Sequence, residues 1–238
     1  MQLRTSNRLL GSAAVALALL TTTAVEAQRG PYGAENELRL RAGVFTPRAG
    51  GDYWNGSFND FTASSRDFQG GAIGVDYMHE IAPLLNIMVG GSVYYADHDL
   101  AYRDFEDQNG HSIIHTTRIS TSSFDLGLVL KLAPNHSPII PYIGGGGTAV
   151  HYQLEEEGDF VDFGASPRRI FRDRFRSDDF AYGWFALAGV EVPLGRNVSI
   201  YAEGRYQDAH ADLRDDFQGF GRLDLAGTYA TFGAAWRF

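Results

Sequence analysis

Two short stretches set a histidine among carboxylates: YADHDL at 95–100, around His98, and DAHADLRDD at 208–216, around His210. An acid beside an imidazole can orient the ring while the ring takes a proton from water or a hydroxyl nucleophile. Neither stretch supplies a nucleophile at a set spacing, and no His-x-Ser occurs in the chain. Asp next to His is also common by chance in an acidic segment, so no catalytic residue is assigned and an enzyme is not expected. FEDQNG, from residue 105, imitates a Ca²⁺ loop, but Phe105 stands where the first ligand belongs and Thr116 where the closing glutamate belongs. It is read as a turn. The seven histidines lack ligand spacing and there is no cysteine, so no metal site, cofactor or thiolate chemistry is expected.

A second set of chemically active residues is ionic. Arg39, Arg41, Lys131, Arg205 and Arg237 oppose Asp76, Glu80, Asp125, Glu191 and Glu203, five of each sign, each on the polar face of an extended segment and interleaved with glycine. Balanced charge with small residues suits a narrow interior in which side chains must fit and pair. One reading is a permanent ion network that fills that interior. The other is a charged plug whose rearrangement opens a pore.

The elements that carry these residues show a period of two, the mark of strands with distinct faces. ELRLRAGVF places Leu38, Leu40, Ala42 and Val44 on one face and Arg39, Arg41 and Gly43 on the other. GAIGVDYMHE, LNIMVGGSVYY, FDLGLVLKL, GWFALAGVEV, NVSIYAEGRY and the closing TYATFGAAWRF read the same way, while PYIGGGGTAVHY is ambiguous through its four glycines. Eight strands result. Short turns (IAP, APNHSP, PLGR) alternate with long polar excursions near 46–69, 97–116, 155–179 and 208–223. That alternation predicts an all-β fold, an eight-stranded antiparallel up-and-down barrel with long loops at one end.

The N-terminus and the apolar face identify the solvent. Arg4 and Arg8, an apolar run from Leu9 to Leu20 and a small-x-small end at Val25-Glu26-Ala27 form the layout of a secretory signal peptide, cut between Ala27 and Gln28. Residues 1–27 are therefore the signal peptide, 28–35 a short lead and 36–238 the barrel domain. The net charge of −9 argues against a nucleic-acid partner. Tyr77, Tyr95, Tyr142, Tyr152, Trp184, Tyr206, Trp236 and Phe238 are assigned to the apolar face, mostly toward strand ends, as aromatic girdles at two membrane interfaces require. The outside of the barrel is read as hydrocarbon, where a closed barrel pairs every backbone group.

PYIGGGG at 141–147, GVEVPLGRNVSIYAEGRY at 189–206 and the terminal FGAAWRF resemble the small eight-stranded outer-membrane β-barrels of Gram-negative bacteria, the OmpA/OmpW-like group. The resemblance spans residues 36–238 and specifies architecture better than activity. It implies an outer-membrane monomer of the porin-like families, with short turns facing the periplasm and long loops the outside. It also implies that Phe232, Trp236 and Phe238 form a signal for the barrel-assembly machinery, reached with periplasmic chaperones. OmpA continues into a peptidoglycan-binding domain; this sequence stops at the eighth strand, so no wall-anchoring role is expected.

In the third long excursion Glu155, Glu156, Glu157, Asp159 and Asp162 precede Arg168, Arg169, Arg172, Arg174 and Arg176. Either the two runs pair across a hairpin that extends beyond the membrane, or the arginines bind lipopolysaccharide phosphates through bidentate contacts. Tyr53, Trp54, Phe58, Phe61 and Phe68 in the first excursion and Phe160, Phe163, Phe171 and Phe175 in the third are expected to fold these segments into caps. The functional expectation is a non-enzymatic structural or envelope protein; a small OmpW-like channel and a loop-mediated adhesin or receptor are the alternatives.

Overall fold

A computed structural model describes residues 36–238. The expected signal peptide, its Ala27–Gln28 junction and the 28–35 lead lie outside the described residues. Those described contain β1 (Asn36–Pro47), α1 (Gly51–Asp60), β2 (Gly70–Ala82), β3 (Leu85–Glu106), β4 (Ser112–Lys131), β5 (Ile140–Asp162), β6 (Arg169–Pro193), β7 (Val198–Asp212), β8 (Arg222–Asp224) and β9 (Gly227–Arg237). Single-turn 3₁₀ segments lie at Ser65–Phe68 and Asp215–Phe217.

Each strand from β1 to β7 pairs antiparallel with the next, and β9 pairs with both β7 and β1, closing an eight-stave ring. β8 adds three residues along β7 beyond the end of β9. Closure removes both sheet edges at this level, so no backbone donor is left to face the surroundings unpaired. Outward positions carry Leu40, Ile73, Val93, Phe124, Leu126, Ile143, Val190, Ile200 and Phe232, all exposed, in one belt around the ring. Above the belt the outward row turns polar, at Asp97 and Asp99 on β3, Arg118 on β4, Glu155 on β5 and Arg176 on β6.

Two of the segments read as long loops are strands. β3 and β4 pair up to Glu106↔Ser112, and β5 and β6 up to Asp162↔Arg169, so the connections shrink to 107–111 and 163–168. Backbone pairing continues there without apolar alternation because opposite charges and aromatic rings replace it. β4 and β5 stay paired up to His115↔Gly158, which joins both hairpins into one four-stranded wall. About ten residues per strand at ~3.3 Å each extend it roughly 30 Å along the strands beyond the apolar belt.

The assignment of Tyr142 and Tyr152 to the outer face is corrected: both are buried inside with Val150. The run Gly144–Gly147 carries no face information, and the register of β5 against β4 and β6 turns the even residues inward. Close packing explains some of the glycines. A Cβ on Gly189 would stand 2.4 Å from the Tyr142 ring, and one on Gly127 2.9 Å from the ring of Phe185.

The helix α1, GDYWNGSFND, holds few good helix formers. Its inward side buries Tyr53, Trp54 and Ser57, so tertiary burial rather than propensity accounts for it. Trp54 meets Phe58 and Phe68 at 5.5 and 4.8 Å, and its indole N–H donates to the carbonyl of Asp224 at 3.0 Å.

Candidate functional site in the lumen and at its extracellular mouth

Strand alternation aims the charged residues of six staves at the axis, where they sort into two tiers. In the lower tier Arg39 Nη2 donates to Glu191 Oε2 at 2.7 Å and Lys131 Nζ to Glu37 Oε2 at 2.7 Å. Arg237 Nε donates to Glu37 at 3.1 Å; Arg39 also pairs with Glu37, and Arg237 with Glu191. The Arg39 guanidinium lies between the rings of Tyr142 and Tyr201, at 4.6 and 4.8 Å. Three cations thus face two carboxylates.

The upper tier reverses the balance. Arg41 Nε reaches Asp76 at 2.9 Å, while Arg205 reaches Asp125 at 2.7 Å, Glu203 at 3.2 Å and Asp76 at 3.6 Å. Thr148 donates to Asp125 at 2.6 Å and Tyr142 to Glu203 at 3.2 Å. Two cations meet three carboxylates, so the tiers together are neutral. Charges buried this deeply are tolerable only when paired and hydrogen-bonded. Met78, Met88, Val129, Phe185 and Leu187 fill the space between them.

Of the ten charged residues expected inside, Arg39, Arg41, Asp76, Asp125, Lys131, Glu191, Glu203, Arg205 and Arg237 are brought together. Glu80 is not: near the end of β2 it is half-buried and enters no ion pair among the described residues. Glu37 takes part instead. Its signal was present, two residues before Arg39 on the same strand face.

The mouth is closed by a different chemistry. Tyr53, Trp54, Phe68, Leu100, Ile119, Tyr152, Leu154, Phe217, Leu223 and Tyr229 form one apolar cluster beneath α1. Within it, a void of about 10 Å³ among Phe45, Trp54, Tyr94, Ile119 and Leu225 has room for one water. On the wall side, Tyr53 donates from α1 to Glu156 Oε1 at 2.6 Å. Glu156 Oε2 is 4.0 Å from Nε2 of His115, whose ring sits against Phe160 and Phe61 at 4.9 and 4.5 Å. Neither His115 nitrogen has a hydrogen-bond partner among the described residues. Burial pushes the Glu156 carboxyl up to about 7 despite the Tyr53 hydrogen bond, and holds His115 down at about 4. Sequence reading grouped Glu156 with its charged neighbours, but alternation points it inward, away from Glu155 and Glu157.

On the outer face of the wall the register sets Glu155 opposite Arg176, Glu157 opposite Arg174 and Asp159 opposite Arg172. The ion pairs formed there are Arg174–Glu155, Arg176–Asp178 at 3.0 Å and Arg118 with Glu155 and Glu157 at 2.9 and 3.1 Å, while at the tip Arg169 meets Asp162 at 3.6 Å on the opposite face. Arg168 lies over the rings of Phe105 and Phe163, at 4.9 and 5.6 Å. FEDQNG forms the β3–β4 turn, where the Asp107 carboxylate accepts the N–H groups of Asn109 and His111 at 2.8 Å each. His98 packs edge-on to Phe68, and His210 lies between Asp208 and Asp224, at 2.8 and 3.3 Å. Among the described residues no three His, Cys, Asp or Glu form a metal-binding group.

A closed antiparallel ring with an apolar exterior and an ion-paired, filled interior defines an integral membrane barrel. The family model for the outer membrane protein beta-barrel domain matches residues 13–238, and the chain belongs to that family. It is a protein of the bacterial outer membrane. Neisserial surface protein A is similar in structure at 14% identity, with 86% of this chain and 97% of that chain covered and a TM-score of 0.50. OprG from Pseudomonas aeruginosa is similar at 11% identity, covering 86% of this chain and 96% of that chain, with a TM-score of 0.53. No curated protein sequence matches the chain.

Proposed function

We propose that the protein is a non-enzymatic, non-conducting barrel that serves the outer membrane as a structural, envelope-maintaining element. The supporting observation is occlusion at two levels, by the ion tiers near the periplasmic end and by the aromatic cap at the mouth. A channel would need both to rearrange, the lower one at the cost of separating buried charges. Planar-bilayer recording tests this: the expected trace is flat, and unitary conductance steps from the folded protein would overturn the reading.

A second reading, an adhesin or receptor, is favoured by the tip of the wall. Phe163, Ile170 and Phe171 stay exposed there around an open recess of about 460 Å³ that also takes in Asp162 and Arg169. Deleting 160–171 while keeping the barrel folded is expected to abolish binding to host cells or phage if this reading holds, and to leave it unchanged otherwise. The assembly role of Phe232, Trp236 and Phe238 and a contact of Arg168, Arg169, Arg172, Arg174 and Arg176 with lipopolysaccharide belong to the same proposal. All three apolar residues point outward, and the five arginines are exposed.

A further inference from the structure

The wall ends laterally in two strands that have lost their outer neighbours. β3 parts from β2 after Tyr94↔Ala72 and β6 joins β7 only from Tyr182↔His210, so the upper halves of both lack a neighbouring strand there and meet only short loop contacts, at Ala101–Tyr102 on β3 and at Arg176 on β6. Their charges are opposite. The free half of β6, RIFRDRFR at 169–176, carries four arginines and one aspartate. The free half of β3, DHDLAYRDFE at 97–106, carries Asp97, Asp99, Asp104 and Glu106 against Arg103.

Their state of pairing differs as well. Among the described residues none of these four carboxylates has an ion-pair partner; Asp99 accepts only the Thr116 hydroxyl, at 2.6 Å. On β6, Arg172 enters no ion pair, and the side chains of Arg169, Arg174 and Arg176 remain 76%, 59% and 51% exposed after theirs. A guanidinium with five donors can serve a second carboxylate.

We propose that this protein docks laterally on a second copy of itself, the basic border of β6 on one copy lying against the acidic border of β3 on the next. Direction and charge both select this pairing. Copies in one membrane share an orientation, β3 runs away from the membrane and β6 toward it, so the two meet antiparallel. Two β6 borders, or two β3 borders, would meet parallel with like charge. A single antiparallel register sets Arg176 beside Asp97 and Arg174 beside Asp99, both pairs on the outward face, and carries Ile170 toward Arg103 at the tip. The contact is one of side chains: the first loop already bridges β3 through Thr62 N–H to Ala101 O at 2.9 Å, and Asp216 accepts the N–H of Arg176. Because the two borders are different patches, the contact is heterologous and builds rows or rings rather than a closed dimer.

The chain has no cysteine, so introduced thiols report the contact cleanly. Ile170→Cys on β6 and Arg103→Cys on β3 are folded separately into zwitterionic phosphatidylcholine vesicles free of lipopolysaccharide, then co-reconstituted and oxidised. Heat-modifiable gel migration verifies that each barrel is folded. The mixture is expected to give a disulfide dimer severalfold above either variant alone. The excess is expected to fall as salt rises from 0.1 to 1 M, where the Debye length shrinks from about 10 to about 3 Å. In the same two-cysteine format, Arg174→Glu/Arg176→Glu and Asp97→Lys/Asp99→Lys should each lose the dimer alone and recover it when mixed. Equal crosslinking in the single-variant samples, a mixed yield at the collision level, or no recovery on mixing the charge-reversed chains would each overturn the proposal; a monomer at every salt would leave these borders to an unlike partner.

Discussion

The Tyr53–Glu156–His115 cluster makes a quantitative prediction about the cap, because opening α1 and the first loop would wet both ionisable groups at once. Tyr53 covers Glu156, and Phe61 covers His115. Burial raises Glu156 from 4.5 to about 7, so the closed cap binds its proton more tightly than the open one. Closure is therefore favoured at acid pH and weakens as pH rises from 4.5 to 7, by about 3 kcal/mol at ~1.4 kcal/mol per factor of ten. His115 has the opposite sign. Its value falls from 6.5 to about 4, so the open form takes up the extra proton and closure strengthens by about 3 kcal/mol as pH rises from 4 to 6.5. The two slopes nearly cancel, and the wild-type cap should be almost indifferent to pH between 4.5 and 6.5. The other groups facing the pair are Ser57 and Tyr53 on α1, Thr117 on β4 and Tyr102 on β3, with Asp99 acting on His115 through its charge. Glu156→Gln should unmask a cap that tightens roughly 100-fold from pH 4 to 6.5, and His115→Phe one that loosens roughly 100-fold from 4.5 to 7. With Trp184→Phe and Trp236→Phe leaving Trp54 as the reporter, urea titration of its emission in vesicles measures cap opening. A flat profile in both variants, or slopes of the same sign, would refute the reasoning.

Arg205→Ala removes the cation shared by Asp76, Asp125 and Glu203 and should cost about 3–5 kcal/mol, read as a lower urea midpoint of the folded gel band with bilayer current unchanged. Trp54→Ala should cost the cap about 3–5 kcal/mol and open residues 48–69 to protease while the barrel stays heat-modifiable. Gly189→Val should evict the Tyr142 ring from its seat beside Arg39 and lower the folded yield, whereas Gly204→Ala, with open space around it, should leave folding intact.

Most of the ring was legible because its strands obey two rules at once, apolar outside and polar or small inside. β1 and β9 show both, β4 departs at the buried Val129, and the faces of all three stand as read. β5 obeys neither through Gly144–Gly147, and its inner face is itself apolar at Tyr142, Val150 and Tyr152, so its phase came only from its neighbours' register. The wall was hidden because Glu155–Asp162 and Arg169–Arg176 carry no hydrophobic period, although their matched charges hinted at a hairpin. Glu156 and His115 meet only because β4 and β5 pair as far as Gly158. No local pattern marks that contact.

The lower ion tier also bears on the order of assembly. Glu37 comes from β1, Lys131 from β4, Glu191 from β6 and Arg237 from β9, and β1 pairs with β9 through Glu37↔Arg237. Until β9 arrives, the Glu37 and Glu191 carboxylates lack one of their cations and β1 and β7 each keep an open edge. The chain therefore carries its own completion signal. Without its last strand the two tiers together hold four cations against five carboxylates, a net charge in the lumen that disfavours release into hydrocarbon, and the residue that closes the ladder supplies the missing cation.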